Sequence, residues 1–434
     1  MNATVAIWIL VITFFVLIFL SFPVAYAIGI ASVVGMMYMG LNLQQIVQLM
    51  VKGVFSFSLM AVPFFIIAGE IMGKGGISDR LIKLSDSLVG WMPGGLAMVN
   101  IVASMFFGGI SGSSAADCAS LGTILIPMMV DQGYDDDFSA NVTMTSSVQG
   151  ILIPPSHNMV IYATVAGSVS IGRLFIAGYM PGILLGVALM VYSFYVSVRK
   201  NYPKGDAFNL KNFLKVGMDA IWGLFTVLIV VVGVVAGVFT ATESAAVAVI
   251  WALFCGAFIY RQLTLKDFWQ VLENALNTLA IVLILIATSS AFSWCLTYLK
   301  VPSIMATAVM GITHNKILIL LMMNVIMLIF GTMMDMSCNI LLLTPILLPI
   351  AQQIGVDPVQ FGCIMILNLG IGLITPPVGS TLFIGSAISK VPIERLGKTL
   401  IPFFAVMLVV LAIVTYWPAF TMTLPNIIMP VAAG

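Results

Sequence analysis

Long apolar stretches alternate with short polar loops along most of the chain. A helix needs roughly 20 apolar residues to cross the hydrocarbon core of a bilayer. The segments 42–52 and 300–314 have an amphipathic pattern, which is typical of helices at the membrane interface. The apolar pattern predicts ten crossings, over residues 4–20, 24–41, 53–73, 139–166, 173–197, 216–239, 243–260, 271–296, 361–388 and 399–417.

Two further apolar stretches, 94–130 and 316–351, are too long for one crossing, and each has polar residues in its middle. This pattern predicts helical hairpins that enter and leave the membrane on the same side. Non-helical backbone within a bilayer is tolerated only where it is buried in protein or lines a cavity. We therefore expect both hairpin tips to lie inside the protein.

The composition places the chain in a lipid bilayer. Hydrophobic residues make up 61% and charged residues 8% of its 434 residues, whereas charged residues are about 25% of soluble domains. A net charge of +1 gives no basic surface for nucleic acid. Five cysteines without a CxxC pair and two histidines indicate neither disulfides nor a cofactor. No Lys or Arg precedes the first apolar stretch, so we expect a retained helix and not a signal peptide.

The Lys and Arg residues concentrate in alternate loops. If the N-terminus is outside and each hairpin returns to its own side, four of the 17 lie outside, namely Lys52, Arg173, Lys300 and Lys316. The other 13 lie inside, which agrees with the positive-inside rule. The count predicts that both termini lie on the outer side of the membrane.

The chain repeats itself at a shift of 222 residues, without gaps. Five predicted crossings separate equivalent positions, and because five is odd the second copy is inverted relative to the first. Inverted repeats with interrupted helices at matching positions are typical of secondary transporters. The matched pairs include Gly109 with Gly331, Gly150 with Gly372, Pro154 and Pro155 with Pro376 and Pro377, and Arg173 with Arg395.

The two hairpin tips offer oxygen ligands for a cation. The first tip reads GGISGSS over residues 108–114, and the second reads GTMMDMSCN over residues 331–339. Glycines allow the chain to turn, while hydroxyls and unwound carbonyls supply the oxygen atoms that hard cations require. Asp335 is expected near the membrane centre, where an ionisable residue is functional by default.

A broken helix is predicted after each hairpin. The first reads SSVQGILIPPSHN over residues 146–158, and the second reads LNLGIGLITPPVGST over residues 367–381. A double proline removes two backbone donors and interrupts the helix. The freed carbonyls suit a cation, and the helix N-terminus after the break suits a carboxylate. We expect each tip and its break to hold one cation, with the substrate between them.

This pairing defines the predicted site residues, with sodium as the only metal ion. Asp117 and Glu243 fit helix-capping positions. The predicted sodium-binding residues are Ser111, Gly112, Ser113, Ser114, Ile153, Ser156, Gly331, Asp335, Ser337, Gly372, Thr375 and Gly379. The predicted substrate-binding residues are Ser114, Pro155, His157, Asn158, Asp335, Asn339, Pro377 and Ser380.

Two other functions are compatible with parts of the sequence. Gly109, Ser111 and Gly112 match a GxSG nucleophile pattern, with His157 as a possible base of an intramembrane serine protease. Proteolysis leaves the equivalence of the two halves unexplained, since Met333 and Gly379 stand opposite Ser111 and His157. Proton coupling through Asp335 stays open as an alternative to sodium coupling. No Walker motif indicates ATP binding by this chain.

The ordered motifs resemble one transporter family over nearly the whole chain. The motifs are GGISGSSAAD, ILIPPSHNMVIYATVAG, SIGRLFIAGYMPGILLG, FTATESAAVAV, MMDMSCNILLLTPILLPI and LNLGIGLITPPVGSTLF. They resemble the large membrane subunit (M subunit, DctM-like) of TRAP transporters, the tripartite ATP-independent periplasmic transporters. The resemblance implies an all-α polytopic membrane protein, with the elevator fold of the ion-transporter superfamily, in the bacterial inner membrane. Both termini are then periplasmic.

The resemblance also implies a mechanism, partners and substrates. It implies sodium-driven symport without enzymatic activity, in which a transport domain of hairpins and broken helices slides against a scaffold. The implied partners are a small four-helix membrane subunit, here a separate polypeptide, and a periplasmic substrate-binding protein. Substrates in the family are organic acids, including C4-dicarboxylates and sialic acid, and this chain looks most like the unfused sialic-acid members.

The chain is expected to divide between scaffold and transport repeats. The predicted division is 1–73 for N-terminal scaffold helices, 74–170 for the first transport repeat, 171–270 for scaffold helices with a basic cytoplasmic loop, 271–390 for the second transport repeat, and 391–434 for a C-terminal helix.

Overall fold

A computed structural model describes residues 2–20, 22–376 and 379–430, and for Ile110 the backbone alone. The regular structure of these residues is helical, with a short 3₁₀ turn at Ser58–Met60 and a π-turn at Cys255–Ile259. The α-helices are α1 (Ala3–Phe19), α2 (Val24–Tyr38), α3 (Gln44–Val54), α4 (Ala61–Lys74), α5 (Ile77–Val89), α6 (Gly95–Ser111), α7 (Ser114–Asp131), α8 (Asp136–Gln149), α9 (His157–Ala166), α10 (Ile171–Lys200), α11 (Leu210–Val235), α12 (Ala241–Phe254), α13 (Leu265–Tyr298), α14 (Val301–Ile312), α15 (Lys316–Met333), α16 (Met336–Gln353), α17 (Pro358–Leu373), α18 (Ser380–Ser389), α19 (Ile393–Tyr416) and α20 (Pro418–Ile428).

Both predicted hairpins and both predicted broken helices are present. Helices α6 and α7 pack against each other with a two-residue tip between them, and α15 and α16 do the same. The first broken helix consists of α8 and α9, and the second of α17 and α18. The predicted all-α fold with two hairpins and two broken helices is confirmed.

The repeat is visible in the helix boundaries. Helix α7 begins at 114 and ends at 131; adding 222 gives 336 and 353, which are the ends of α16. The contacts between the copies are reciprocal, because α7 packs against α18 while α16 packs against α9. The same holds for a second pair of contacts: α4 packs against α12, while α13, which includes the counterpart of α4, packs against α2, the counterpart of α12. Each hairpin is therefore covered by the broken helix of the other copy.

Helix α10 shows that the two copies are inverted. It has 30 residues, which corresponds to a length of about 45 Å at 1.5 Å per residue. At its C-terminal end, Lys200 forms an ion pair with Asp135, at the base of the first hairpin. Near its N-terminal end, Leu174 packs with Tyr162 of α9 around Gly362 in α17, and the Tyr162 hydroxyl donates to the carbonyl oxygen of Pro358 (2.6 Å), at the base of the second hairpin. The two hairpins therefore enter from opposite ends.

Loops that the Lys and Arg count assigns to one side meet in the structure. Arg395 pairs with Asp136 on the side assigned to the interior. The hydrogen bond from Lys200 lowers the pKa of Asp135 on that same side. On the opposite side, Lys316 donates to the carbonyl oxygen of Gly355 (3.1 Å). Which of the two sides faces the cytoplasm stays a prediction from the charge count.

Several helix boundaries differ from the predicted crossings. Seven of the described helices are long and apolar enough to cross a membrane alone, or eight if the bent pair α3 and α4 forms one crossing. The predicted crossing over 53–73 corresponds to the segment from Ser58 to Lys74, which meets α3, the predicted amphipathic segment 42–52, at 62°. The prediction of one C-terminal helix is wrong, because the chain breaks at Trp417 and resumes at Pro418 in α20.

Helices α10 and α19 pack against the broken helices. Helix α10 contacts α6, α8, α9 and α17, and α19 contacts α8 and α17. Helix α10 also packs against α11, the next helix along the chain. The division into scaffold and transport repeats stays a prediction, and these contacts favour adding α10 and α19 to the transport repeats.

Candidate functional site

The first hairpin tip is a tight turn that requires glycine. Helix α6 ends at Ser111, and Gly112 follows with a left-handed φ of 60°, a conformation that glycine adopts at little cost. Ser113 is extended, and its side chain accepts a hydrogen bond from the amide of Ala116, which caps α7. The Ser111 hydroxyl also accepts from the amide of Ser113 (3.3 Å). The tip thus holds two serine hydroxyls beside unwound backbone.

The second tip turns without glycine and is stabilised by side chains. Met334 is extended, and Asp335 caps α16 by accepting from the amide of Ser337 (3.0 Å). Asn339 is fully buried, and its amide donates to the carbonyl oxygens of Phe330 (3.1 Å) and Met334 (3.0 Å). The two tips therefore differ in chemistry, since only the second has a carboxylate at its turn.

The first tip lies directly against the first helix break. A Cβ added to Gly112 would lie 2.9 Å from the Cα of Ser156 and 3.1 Å from the carbonyl oxygen of Pro155. Gly109 approaches the same segment, with a Cβ position 3.0 Å from the Pro154 carbonyl oxygen. Only glycine allows these backbones to approach so closely. The structure therefore brings the first tip and the first double proline together.

The second tip approaches its own break in a similar way. A Cβ on Gly372 would lie 2.6 Å from the Cα of Gly331. The amide of Gly379 donates to the carbonyl oxygen of Thr332 (3.3 Å). The Thr375 hydroxyl donates to its own helix at Ile371 (2.6 Å). Pro377, a predicted substrate-binding residue, lies outside the described residues.

Hydrogen bonds join the two copies at the centre. The Ser114 hydroxyl shares hydrogen bonds with Ser147 (2.6 Å) and with Thr381 of the second broken helix (3.1 Å). Neither Ser147 nor Thr381 was predicted as a site residue. Asn158 spans the copies as well, because its side chain contacts the Gly112 carbonyl oxygen and the Ser337 hydroxyl. The predicted residues near both tips thus meet in one region of the protein.

A cavity of about 690 Å³ lies beside the tips. Five of the predicted residues line one wall of this cavity: Ser111, Ser113, His157, Asp335 and Ser337. The Asp335 side chain is exposed to this space. His157 is about nine-tenths buried, and its Nδ1 atom has no hydrogen-bond partner among the described residues. This wall presents hydroxyls, one carboxylate and one imidazole to the cavity.

The opposite wall comes from α4, α5 and α13. Glu70 and Lys74 contribute from α4, Asp79 from α5, and Thr278 from α13. Gln262, in the loop before α13, also lines the cavity. Lys74, Asp79 and Gln262 belong to loops or helix ends that the charge count assigns to the cytoplasmic side. The cavity therefore reaches from the two tips toward that side.

The remaining predicted residues lie around this wall rather than on it. Ser114, Asn158 and Asn339 are buried in the contact between helices. Ile153 and Pro155 lie in the first break beside the first tip. Ser380, at the start of α18, is exposed but is not part of the cavity lining. Their roles stay predictions.

The two acidic residues with predicted capping positions differ in their surroundings. Glu243 accepts from the amide (2.8 Å) and hydroxyl (2.9 Å) of Thr240, which forms a capping box at the start of α12. Asp117 is fully buried in α7 and lies 3.4 Å from the Ser104 hydroxyl.

The arrangement lacks the contact that a serine nucleophile needs. A nucleophilic serine has its general base within hydrogen-bond reach. The Ser111 hydroxyl is instead bonded within its own turn to Ser113, and His157 makes no side-chain hydrogen bond within the described part of the chain.

Proteins of similar sequence are transporter permeases. The chain is 43% identical over 403 residues to the isethionate TRAP transporter permease protein DctMQ of Oleidesulfovibrio alaskensis, covering 92% of this chain and 63% of that protein. It is 37% identical over 416 residues to the sialic acid TRAP transporter large permease protein SiaM of Vibrio cholerae, covering 95% of this chain and 97% of that protein. Since these relatives are permeases, the prediction of a non-enzymatic function is confirmed.

The fold also has a solved counterpart. The crystal structure of the YdaH transporter of Alcanivorax borkumensis matches with a TM-score of 0.62 at 13% identity, covering 86% of this chain and 87% of that one. The sequence profile of the family described as tripartite ATP-independent periplasmic transporter, DctM component, matches residues 11–420. The chain therefore belongs to the DctM component family of tripartite ATP-independent periplasmic transporters, as its sequence motifs predicted.

Proposed function

We propose that this chain is the permease of a sodium-coupled uptake system for organic acids. The observation that carries the proposal is the close contact of each hairpin tip with its own helix break, with both tips beside one cavity. The two relatives described above are named for sialic acid and isethionate, which are both organic acids. Secondary transporters bind substrate and coupling ions at such interrupted helices near the middle of the membrane.

Each tip and its break form one proposed sodium site. At the first site, the tip that carries the serine hydroxyls packs against the carbonyl oxygens of Pro154, through Gly109, and of Pro155, through Gly112. At the second site, Asp335 supplies a carboxylate at the tip, and the break contacts the same tip through the Gly379 amide, which donates to the Thr332 carbonyl oxygen (3.3 Å). Oxygen atoms of this kind are the ligands that hard cations take. The protein therefore offers one neutral and one anionic site.

The proposed substrate site is the cavity wall between these ion sites. A volume of about 690 Å³ falls within the range of about 300–1,000 Å³ typical of small-molecule sites. Helices α7, α9 and α16 begin at this wall, and helix N-termini favour anions. An acid group is thus attracted by helix ends and bound sodium. Ser111, His157 and Ser337 then supply hydrogen bonds to its polar groups.

The proposed transport cycle is an elevator movement. The cavity separates the two tips from α4 and α13, and it reaches the side assigned to the cytoplasm. In this cycle the structure corresponds to an inward-facing state. The paired hairpins and broken helices then slide against the helices of the opposite wall and carry the same site to the periplasmic side. In this cycle α5 and α13, which the predicted division placed in the transport repeats, belong to the scaffold. A small membrane subunit and a periplasmic binding protein complete the proposed system in the bacterial inner membrane.

Electrical work favours more than one sodium ion per substrate. A cation that moves down 100 mV releases about 2.3 kcal/mol, and a monovalent anion that enters against this potential costs the same amount. One sodium ion cancels this cost, and a second gives net electrical driving force. Since a tenfold accumulation costs about 1.4 kcal/mol, two ions drive substantial accumulation. We expect electrogenic uptake.

The test is uptake in proteoliposomes that contain this chain and its small subunit, with the binding protein outside. Radiolabelled sialic acid and isethionate serve as probes. An inward sodium gradient should drive accumulation of at least one probe, and an inside-negative potential should increase it. Replacing sodium by potassium at constant pH should abolish accumulation. Accumulation driven by a proton gradient without sodium would instead support proton coupling.

A further inference from the structure

Asn158 is the side chain that joins the two hairpin tips. Its Nδ2 donates to the carbonyl oxygen of Gly112 (3.4 Å), in the first tip. Its Oδ1 accepts from the hydroxyl of Ser337 (3.2 Å), just after the second tip. The side chain is only 3% exposed. One amide therefore contacts groups that are 225 positions apart in the chain and belong to different copies of the repeat.

These contacts continue to the carboxylate of the second tip. Ser337 uses its amide to donate to Asp335 (3.0 Å) and its hydroxyl to donate to Asn158. A continuous series of hydrogen bonds therefore runs from Asp335 through Ser337 and Asn158 to the Gly112 carbonyl. Hydrogen bonds in such a series polarise one another, so their energies are not independent. The amide of Asn158 is planar, so a rotation that changes one of its contacts also changes the other.

The equivalent position in the second copy lacks this contact. Asn158 corresponds to Ser380, because 158 plus 222 is 380. Ser380 is exposed and makes no side-chain hydrogen bond among the described residues. The bridge is therefore a property of the first copy alone and not a consequence of the repeat.

We propose that Asn158 is a positioning residue that makes the binding of the two sodium ions cooperative. This inference rests on the sodium coupling proposed above. A cation at the second tip fixes Asp335 and Ser337, and Ser337 then fixes the amide of Asn158. The amide in turn orients the Gly112 carbonyl toward the first tip site. The second ion to bind therefore finds its ligands already ordered.

The test is sodium binding to the purified complex of this chain with its small subunit, without substrate. Titration with ²²Na⁺ gives both the number of sites and the Hill coefficient, which cannot exceed the number of sites. We expect a Hill coefficient of about two in the wild type and about one in Asn158→Ala, with two ions still bound. Ser337→Ala should lower it similarly, and the double variant should lower it no further. Asn141→Ala is the matched control, because this buried amide also bridges two helices by donating to Thr399 (2.7 Å) but belongs to neither tip, and it should keep the wild-type value.

Each outcome decides between cooperativity and simpler roles. An unchanged Hill coefficient in both Asn158→Ala and Ser337→Ala overturns the inference. Loss of all sodium binding in a variant that remains monodisperse also overturns it, because a positioning role leaves both sites in place. If one variant does not fold, the other decides. If the wild type binds no sodium, the proposed function fails before this inference is reached.

Discussion

The contact between Gly372 and Gly331 gives the sharpest test of the second ion site. Adding a methyl group in Gly372→Ala places a Cβ 2.6 Å from the Cα and 2.5 Å from the carbonyl carbon of Gly331. Ordinary contact begins at 3.4 Å, so the backbones must separate by about 0.9 Å, the difference between 3.4 Å and the closest contact of 2.5 Å. Both partners are backbone atoms, so no side-chain rotation relieves the clash.

This displacement should impair both stability and transport. Overpacking of a well-packed interior costs about 1–3 kcal/mol, and a rigid backbone contact belongs at the upper end of that range. A free-energy change of 1.4 kcal/mol is a factor of ten in an equilibrium constant. We therefore expect sodium-driven uptake at least about tenfold slower than in the wild type, with a lower midpoint of thermal unfolding.

A matched glycine substitution separates the clash from a general effect of alanine. Gly311 lies in α14 and has no atom within 4 Å of an added Cβ. Gly311→Ala should be neutral or stabilising, because alanine favours helix by up to about 1 kcal/mol. Wild-type uptake with an unchanged half-maximal sodium concentration in Gly372→Ala would show that the close approach of tip and break does not matter for transport.

Three further substitutions test other parts of the site. Ser114→Ala removes the hydrogen bonds to Ser147 and Thr381 and should lower the free energy of unfolding by about 1–2 kcal/mol. An unchanged midpoint of thermal unfolding would show that these hydrogen bonds do not stabilise the protein. Asp335→Asn should raise the half-maximal sodium concentration for uptake by about tenfold, since it removes the only carboxylate at either turn; equal values in titrations of both proteins would argue against ligation. Arg395→Ala breaks two ion pairs, with Asp136 and with the less exposed Asp137, and should cost about 1 kcal/mol, as measured by unfolding at low and high salt.

Residues that change the local backbone made the hairpins predictable from sequence. The first hairpin was placed at 94–130 and lies at 95–131, because the glycines and serines of its tip interrupt an otherwise apolar stretch. The second was placed at 316–351 and ends two residues later. Each double proline likewise marks a helix break within a few residues. Glycine, serine and proline residues of this kind change the backbone at their own positions, so their effect can be predicted from the sequence without knowledge of the fold.

Contacts between distant segments were not predictable in the same way. Thr381 and Ser147 look like ordinary hydroxyl residues, and nothing near them in sequence indicates that both meet Ser114. The repeat did not help, because Thr381 corresponds to Met159, which has no hydroxyl. The bend before α4 falls where the predicted amphipathic segment 42–52 meets the predicted crossing 53–73, but nothing in the sequence there indicates its angle of 62°.

The reciprocal packing explains how unwound backbone is tolerated in the membrane. Unpaired backbone groups in hydrocarbon cost several kcal/mol each, so neither tip is stable at a lipid-facing surface. Helix α18 of the second copy covers α7, and α9 of the first copy covers α16. Each copy thus supplies the protein environment that the other tip requires, so the two hairpins and their covering helices form one packed unit. Because both proposed ion sites lie within this paired unit, the elevator movement that we propose would carry ions and substrate without dismantling either site.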